Sequence, residues 1–384
     1  MIPWPLASWF PTEPVALELS PEARHALADV SASLRLAVQS LVLPTVLLYA
    51  TLYALVRGEV KRFGALAWLS VLAFLYSSWA VVVPCSAVRS LQLFGVAIGI
   101  MKALDLYVRR HSPPRYAYDK RPSDAVIALI LLTELRYESF IPNHIRTTPA
   151  PAAVASPTAE PLTTTPRAKP PRRRFMLEFS EPANLALHGL LFSILQLCFP
   201  QHNPTVLALQ ILLAIYVLWE SLQLMLRYRT SPPLFGPIYK ASSLGSFWSE
   251  TWHSAFASPC RSLAYDPIRR TLPVYGVPAS FARAIGIVAS FGLMGFFHVF
   301  ALAPLLPVDA LLRIAAFFLL NGIGAVIEGA VWGRRAHWGK TLLAWAFELA
   351  VATWTVEGLS VPNGLRNIRW ESICDVGRES SHLF

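Results

Sequence analysis

The sequence predicts an all-α polytopic transmembrane bundle of about eight spans, and three observations predict it. Of its 384 residues, 54% are hydrophobic and only 15% charged, against about 25% charged in an ordinary soluble domain. The apolar residues fall in blocks close to the roughly 20 needed to cross about 30 Å of hydrocarbon. The basic residues lie in every second connection between those blocks, where cytosolic loops carry them.

In chain order, residues 1–33 are polar to mixed and proline-rich, which predicts a surface arm. The opening "MIPWPLASWF" has neither the basic start nor the small-residue cleavage pattern of a signal peptide, so the first span is expected to double as the targeting signal. Blocks at 34–56, 63–83, 205–226, 281–303 and 310–332 reach spanning length, and 91–108, 184–200 and 340–358 are shorter or interrupted. "RGEVKR", "RRHSPPRYAYDKR", "RYR" and "WGRRAHWGK" follow the first, third, fifth and seventh spans, whereas "PCSAVR", "PQHNP" and "PLLPVD" between them are nearly free of positive charge. The alternation needs all eight spans. It places the basic loops in the cytosol and both termini on the far, lumenal side of a membrane such as the endoplasmic reticulum. It also accounts for the net charge of +10 without a nucleic-acid partner; the bilayer is the expected one.

Within the amino-terminal transmembrane part, 34–140, the stretch 123–140 opens with an N-cap serine after Pro122 but is too short to span. It is expected to lie on the cytosolic face or to pack beneath the bundle. Residues 141–180 include "RTTPAPAAVASPTAEPLTTTPRAKPPRRR", whose composition offers no periodic apolar face, and read as a disordered cytosolic linker. A second transmembrane part, 181–360, and a tail, 361–384, follow. Gly95 and Gly99 form a GxxxG suited to close helix packing. Cys85, Cys198, Cys260 and Cys374 are widely separated, which argues against a zinc site or a disulfide framework.

Ionisable groups at bilayer depth are costly, by roughly 2.5–3.5 kcal/mol each on insertion scales, so each requires a reason. His298 stands out in "FGLMGFFHVFALAP", with no other ionisable residue between Arg283 and Asp309. It either bonds a neighbouring helix or does chemistry, and the residues leave both open. Burial favours a neutral imidazole, which is what a general base for an alcohol requires. Asn321 and Glu328 share nearly one face of the next span; Glu328 either supports an imidazole or sits at the cytosolic edge beside Arg334 and Arg335. Glu220 and Gln223 read as interfacial, Lys102 and Asp105 as a mutually neutralising pair, and His188 has no evident partner. "HALAD", His25 to Asp29, matches an HxxxD pattern but reads as an exposed i,i+4 pair.

"GSFWSETWHSAF", Gly245 to Phe256, is too polar to span and too aromatic for an ordinary loop. There is no GxSxG elbow, no phosphate-binding glycine loop, and no paired DDxxD-like motif to hold diphosphate through magnesium.

This aromatic stretch, followed by a span carrying "GLMGFFHVF", resembles the membrane-bound O-acyltransferase superfamily, in its wax-synthase-like branch. The resemblance runs from about 205 to 358 and includes "YDPIRR" and "NGIGAVIEGAVW". It implies an MBOAT-like bundle, an acyl-CoA co-substrate, no bound cofactor or metal, and a hydrophobic alcohol acceptor. His298 would deprotonate the acceptor hydroxyl. His253 would hydrogen-bond the thioester carbonyl or its oxyanion, or position the coenzyme A. Trp248 and Trp252 would shape the chamber, Glu250 would orient His253, and Asn321 and Glu328 would line the substrate. Arg261, Arg269, Arg270, Arg334 and Arg335, with Lys340, would attract the donor's phosphates, unless they only obey the positive-inside rule. Two positions depart from the pattern. His253 stands where the diacylglycerol acyltransferases usually carry Asn, and Val299 stands where many members carry an acidic residue, which leaves the orientation of the imidazole open.

Fungal members of this branch acetylate terpenoid or meroterpenoid hydroxyls and plant members make wax esters; the expectation here is acetyl transfer to a hydrophobic polycyclic alcohol in secondary metabolism. Long-chain wax-ester synthesis, a transporter, and a membrane terpene cyclase using Glu328 or Glu348 are the competing readings.

Overall fold

Ser20 caps the first helix: its hydroxyl accepts from the Ala23 amide at 3.1 Å, and Pro21 takes the first helical position, where its missing N–H costs nothing. The computed structural model describes residues 20–142, 179–226, 233–333, 335, 337–359, 372 and 374–375. Residues 21–33 of the expected arm are therefore the opening turns of α1 (Pro21–Val56). The rest of the arm, nearly all of the expected linker and most of the tail lie outside the described residues. His25 and Asp29 form the exposed i,i+4 pair, 3.2 Å apart.

Helices α2 (Val60–Ala80) and α3 (Ser86–Val108) complete a three-helix unit with α1. Its core is Leu48, Leu52 and Leu55 of α1, Phe63, Val71 and Phe74 of α2, and Val96 and Leu106 of α3. The GxxxG glycines serve this unit: a Cβ on Gly99 would collide with the Phe74 ring, and one on Gly95 would crowd Leu41. A two-residue antiparallel pair, β1 (Arg115–Tyr116) and β2 (Phe140–Ile141), brackets α4 (Asp124–Thr133). Ser123 holds the N-cap position, and Ile127, Ala128 and Leu131 join the core of the three-helix unit. The short helix packs against the bundle and does not cross.

The second part begins with the antiparallel pair α5 (Glu181–Cys198) and α6 (Pro204–Leu226). Between α6 and the next long helix lies a run of short turns: a 3₁₀ turn at Ile238–Lys240, α7 (Leu244–Ser246), a π-helical turn at Phe247–Thr251, α8 (Ala257–Pro259), a second π-helical turn at Cys260–Tyr265, α9 (Asp266–Thr271) and a 3₁₀ turn at Leu272–Tyr275. Three long helices close the fold: α10 (Ala279–Leu302), α11 (Val308–Trp332) and α12 (Trp338–Glu357). Helices α10 and α11 pack most extensively, α10 also meets α3, and α12 lies against α6 and α11. Gly295 faces the Ala315 carbonyl of α11 and Gly322 faces Phe291 of α10, so small residues set the close approach of this pair.

The chain is a polytopic helical membrane protein. Among the described residues, six helices are long and apolar enough to cross a bilayer: α1, α2, α3, α6, α10 and α11. Helices α5 and α12 occupy the remaining two expected positions at 18 and 20 residues.

The cysteine expectation is overturned. Cys85 and Cys374 form a disulfide across 289 residues, with the Ser86 amide donating to the Cys374 carbonyl at 3.3 Å and Ala37, Val83 and Val88 packed around the bond. Wide spacing excluded pairing only as long as the chain's return to the same end of the bundle was left out of account.

Candidate active site

The aromatic stretch is held at its start by a buried carboxylate. Glu328 of α11 accepts from the Leu244 amide at 2.7 Å and the Gly245 amide at 3.3 Å, and pairs with Lys340 at 3.5 Å. It thus satisfies the free donors opening α7, where an anion is also favoured. Ser243 and Ser246 close a reciprocal capping box over the same turn. The supporting role expected of Glu328 is therefore towards the backbone of this stretch; its oxygens face amides and Lys340, not an imidazole.

From α7 the chain follows α11 inwards. Trp248 Nε1 donates to Asn321 Oδ1 at 3.0 Å, and the Trp248 ring meets Phe291, Phe317 and Phe318. From Glu328 to Phe318 the descent is roughly 15 Å of helix rise. Irregular backbone at that depth is tolerated only where protein buries it or it lines a cavity. Here it is covered: Phe247 stacks on Trp252 at 5.6 Å and meets Trp345 edge-on at 6.0 Å. The π turn is closed by the Trp252 amide on the Phe247 carbonyl, and π turns recur at functional sites. Asn321 is fully buried; its Oδ1 accepts from Trp248 and its Nδ2 donates to the Phe317 carbonyl. It holds Trp248 against α11.

His253 follows directly. Its ring lies between Phe235 at 5.6 Å, Trp252 at 5.6 Å and Phe256 at 6.1 Å, and its Nδ1 is buried without a hydrogen-bond partner. Burial, reinforced by the nearby His298, pushes this imidazole down to about 3, so it is neutral at ordinary pH. Glu250 is exposed and does not orient it; the π turn carries that carboxylate to the outside.

His298 sits roughly 28 Å along α10 from Ala279. Its Nδ1 lies 2.8 Å from the Met294 carbonyl one turn back. A carbonyl can only accept, so Nδ1 carries the proton and Nε2 presents its lone pair. This sets the orientation that Val299 left open. Phe318 stacks on the ring at 4.5 Å. The two imidazoles are linked by a chain of rings: His253 to Phe256, Phe256 to Phe297 at 4.7 Å, and Phe297 to His298 at 5.3 Å.

The cationic residues separate into two places. Arg261 and Arg270 flank Asp266 at 3.5 and 3.6 Å, and Arg269 lies over Tyr265 at 5.8 Å. These side chains surround α9, which packs on α10. Arg335 is exposed in the turn between α11 and α12, and Lys340 is buried on Glu328. Arg334 lies outside the described residues.

Three comparisons bear on this arrangement. Residues 231–320 match the profile of the "Membrane bound O-acyl transferase family". They contain both histidines, both π turns and the whole of α10. This stretch of the chain is similar to the membrane-bound O-acyltransferases. The similarity extends to the wax-synthase-like branch: the chain is 30% identical over 169 residues, 40% of its length, to "Probable long-chain-alcohol O-fatty-acyltransferase 7" of Arabidopsis thaliana, covering 48% of that protein. It is 29% identical over 143 residues, 35% of its length, to "Probable long-chain-alcohol O-fatty-acyltransferase 2" of the same plant, covering 39% of it. The chain therefore spans less than half the length of these relatives. No solved structure matches it.

Several contacts around this segment could not be read from the sequence. Glu348 of α12 hydrogen-bonds Asn321 and leaves its Oε2 buried without a partner. Phe318 gives no sign in the sequence of stacking on His298, since one phenylalanine among several carries no register. His188, left without a partner, is bonded through Nδ1 to the Asn184 carbonyl at 2.6 Å and stacked on Tyr216 at 3.9 Å. It is a packed histidine.

Proposed function

We propose that the protein is an acyl-CoA-dependent O-acyltransferase that esterifies a hydroxyl of a hydrophobic alcohol within the membrane, with His298 as general base. The observation that carries this reading is the His298 tautomer: Nδ1–H is committed to the Met294 carbonyl, leaving the Nε2 lone pair free among the rings of Phe297 and Phe318, within the stretch that matches the family. The acceptor O–H gives its proton to Nε2 as its oxygen attacks the thioester carbonyl. The tetrahedral oxyanion collapses, the C–S bond breaks, and the departing thiolate recovers the proton from the imidazolium. Neutral His253 donates one hydrogen bond to the oxyanion, an interaction that strengthens as charge develops. Arg261, Arg269 and Arg270 around α9 offer charge for the donor's phosphates.

Acetyl is the acyl group this packing favours. Phe318 lies against His298 and Phe256 against Phe297, and a small acyl group fits best beside rings so close to both histidines. A flat polycyclic alcohol such as a terpenoid would stack among these rings. Long-chain transfer is the second reading, favoured by the names of the plant relatives. The basic loops and the Cys85–Cys374 bond, which requires an oxidising compartment, both support an endoplasmic reticulum membrane with lumenal termini.

Membranes containing the protein, supplied with acetyl-CoA or a long-chain acyl-CoA and pooled terpenoid, sterol and fatty alcohols, test the reading by product mass. Acetyl esters that fall roughly 10²–10⁴-fold in His298→Ala are expected. Long-chain esters would select the second reading, and esters undiminished in His298→Ala would exclude the base.

A further inference from the structure

A carboxylate of the amino-terminal unit reaches into the acyltransferase segment. Asp105, in the last turn of α3, is fully buried. It does not neutralise Lys102 directly: Lys102 Nζ donates to the carbonyls of Leu131, Leu132 and Glu134 at 2.5, 2.8 and 2.7 Å, closing the end of α4. Asp105 faces the other way. Its Oδ2 accepts from Arg109 at 2.6 Å and from the Ser258 hydroxyl at 3.1 Å, and its Oδ1 accepts from the Ser262 hydroxyl at 2.5 Å.

Ser258 and Ser262 are four residues apart across the start of the second π turn, so they present both hydroxyls to one point. The first lies five residues after His253. The intervening chain is also gripped: Arg136, beyond α4, donates to the Pro233 carbonyl at 2.8 Å and to Ser254 Oγ at 3.4 Å, while Phe256 packs with Ala97 and Met101 of α3. On the other side of His253, the Gly236 amide donates to the Thr251 carbonyl at 2.9 Å. His253 itself has no hydrogen bond at Nδ1 to fix it. Its position comes from the backbone on either side.

We propose that Asp105 is a positioning residue that sets His253 in the reaction chamber through Ser258 and Ser262. A buried carboxylate is costly unless its donors are all in place, so Ser258 and Ser262, with Arg109 and Tyr137 on its own side of the contact, define one placement of the segment and disfavour others. The inference rests on the proposed acyl transfer for its kinetic consequence but not for its geometry.

The test uses the full chain in detergent, with Asp105→Asn and the paired Ser258→Ala, Ser262→Ala variant, and reads two quantities. The first is the rate at which diethyl pyrocarbonate modifies His253, followed by mass spectrometry of its peptide. The second is kcat and KM for ester formation. In Asp105→Asn, modification of His253 accelerates, kcat falls roughly 10–100-fold as misplacement by about an ångström would cause, and KM for the acyl donor is unchanged. Adding Asp105→Asn to His253→Ala costs no further activity. An unchanged modification rate, or a loss that adds fully to that of His253→Ala, would overturn the proposal. Should Asp105→Asn fail to fold, the serine variant carries the same two readouts. Accelerated modification in a protein whose wild type forms no ester would uphold the positioning and sink the acyltransferase reading.

Discussion

The His298 imidazole takes its tautomer from its own helix, because the i−4 carbonyl of Met294 accepts from Nδ1 and the free nitrogen is then fixed without a carboxylate beside it. His253 differs: it is held by its flanking backbone and is neutral because it is buried. That neutrality has a pH signature. The imidazole ionises at about 3 in the fold, against about 6.5 in an unfolded chain. As pH falls, the unfolded chain therefore takes up the proton first, so this part of the stability is complete above about pH 6.5 and drains away down to about pH 3. The Tm of the detergent-solubilised protein should fall between about pH 7 and about pH 5, and His253→Asn should remove part of that fall. An identical slope in the variant would show that His253 is not buried neutral.

Among the elements, the stretch from Gly236 to Tyr265 is the one whose shape matters most, and it depends on a glycine. A Cβ at Gly236 would come within 2.6 Å of the Glu250 carbonyl oxygen and 3.1 Å of the Thr251 Cα. Both contacts are backbone, so the first π turn would have to move. Gly236→Ala is expected to lower kcat roughly 10²-fold while the protein still elutes as a folded monodisperse species; unaltered kcat would mean the turn has slack. The long helices were legible in the sequence, because hydropathy and loop charge act on whole blocks and survive local error. The two π turns were not: "FWSET" and "CRSLAY" contain no residue that demands an extra residue per turn, and the demand comes from Asn321, Glu328 and Asp105 on other helices. The histidines could be found by their oddity in apolar surroundings. Glu250 and Glu328 were harder, since which carboxylate turns inwards depends on a register set by those same distant contacts.

For the molecule as a whole, the two parts meet at both ends of α3. At its start Cys85 is bonded to Cys374, and in its last turn Asp105 holds Ser258 and Ser262. The segment between residues 142 and 179 is therefore not what keeps the halves together. With a site-specific protease sequence inserted there, the cleaved protein should retain its activity. On denaturing gels it should run as one band without reductant and as two with it, whereas Cys374→Ser should give two bands in either case. Two bands from the cleaved wild type without reductant would mean that the disulfide does not form. The same bond has a consequence in time. Cys374 leaves the ribosome 289 residues after Cys85, so the earlier thiol waits for its partner while both π turns and the last three long helices are made. A chain stopped anywhere in that interval lacks the Cys85–Cys374 bond, and is thereby chemically distinguishable from one that has passed it.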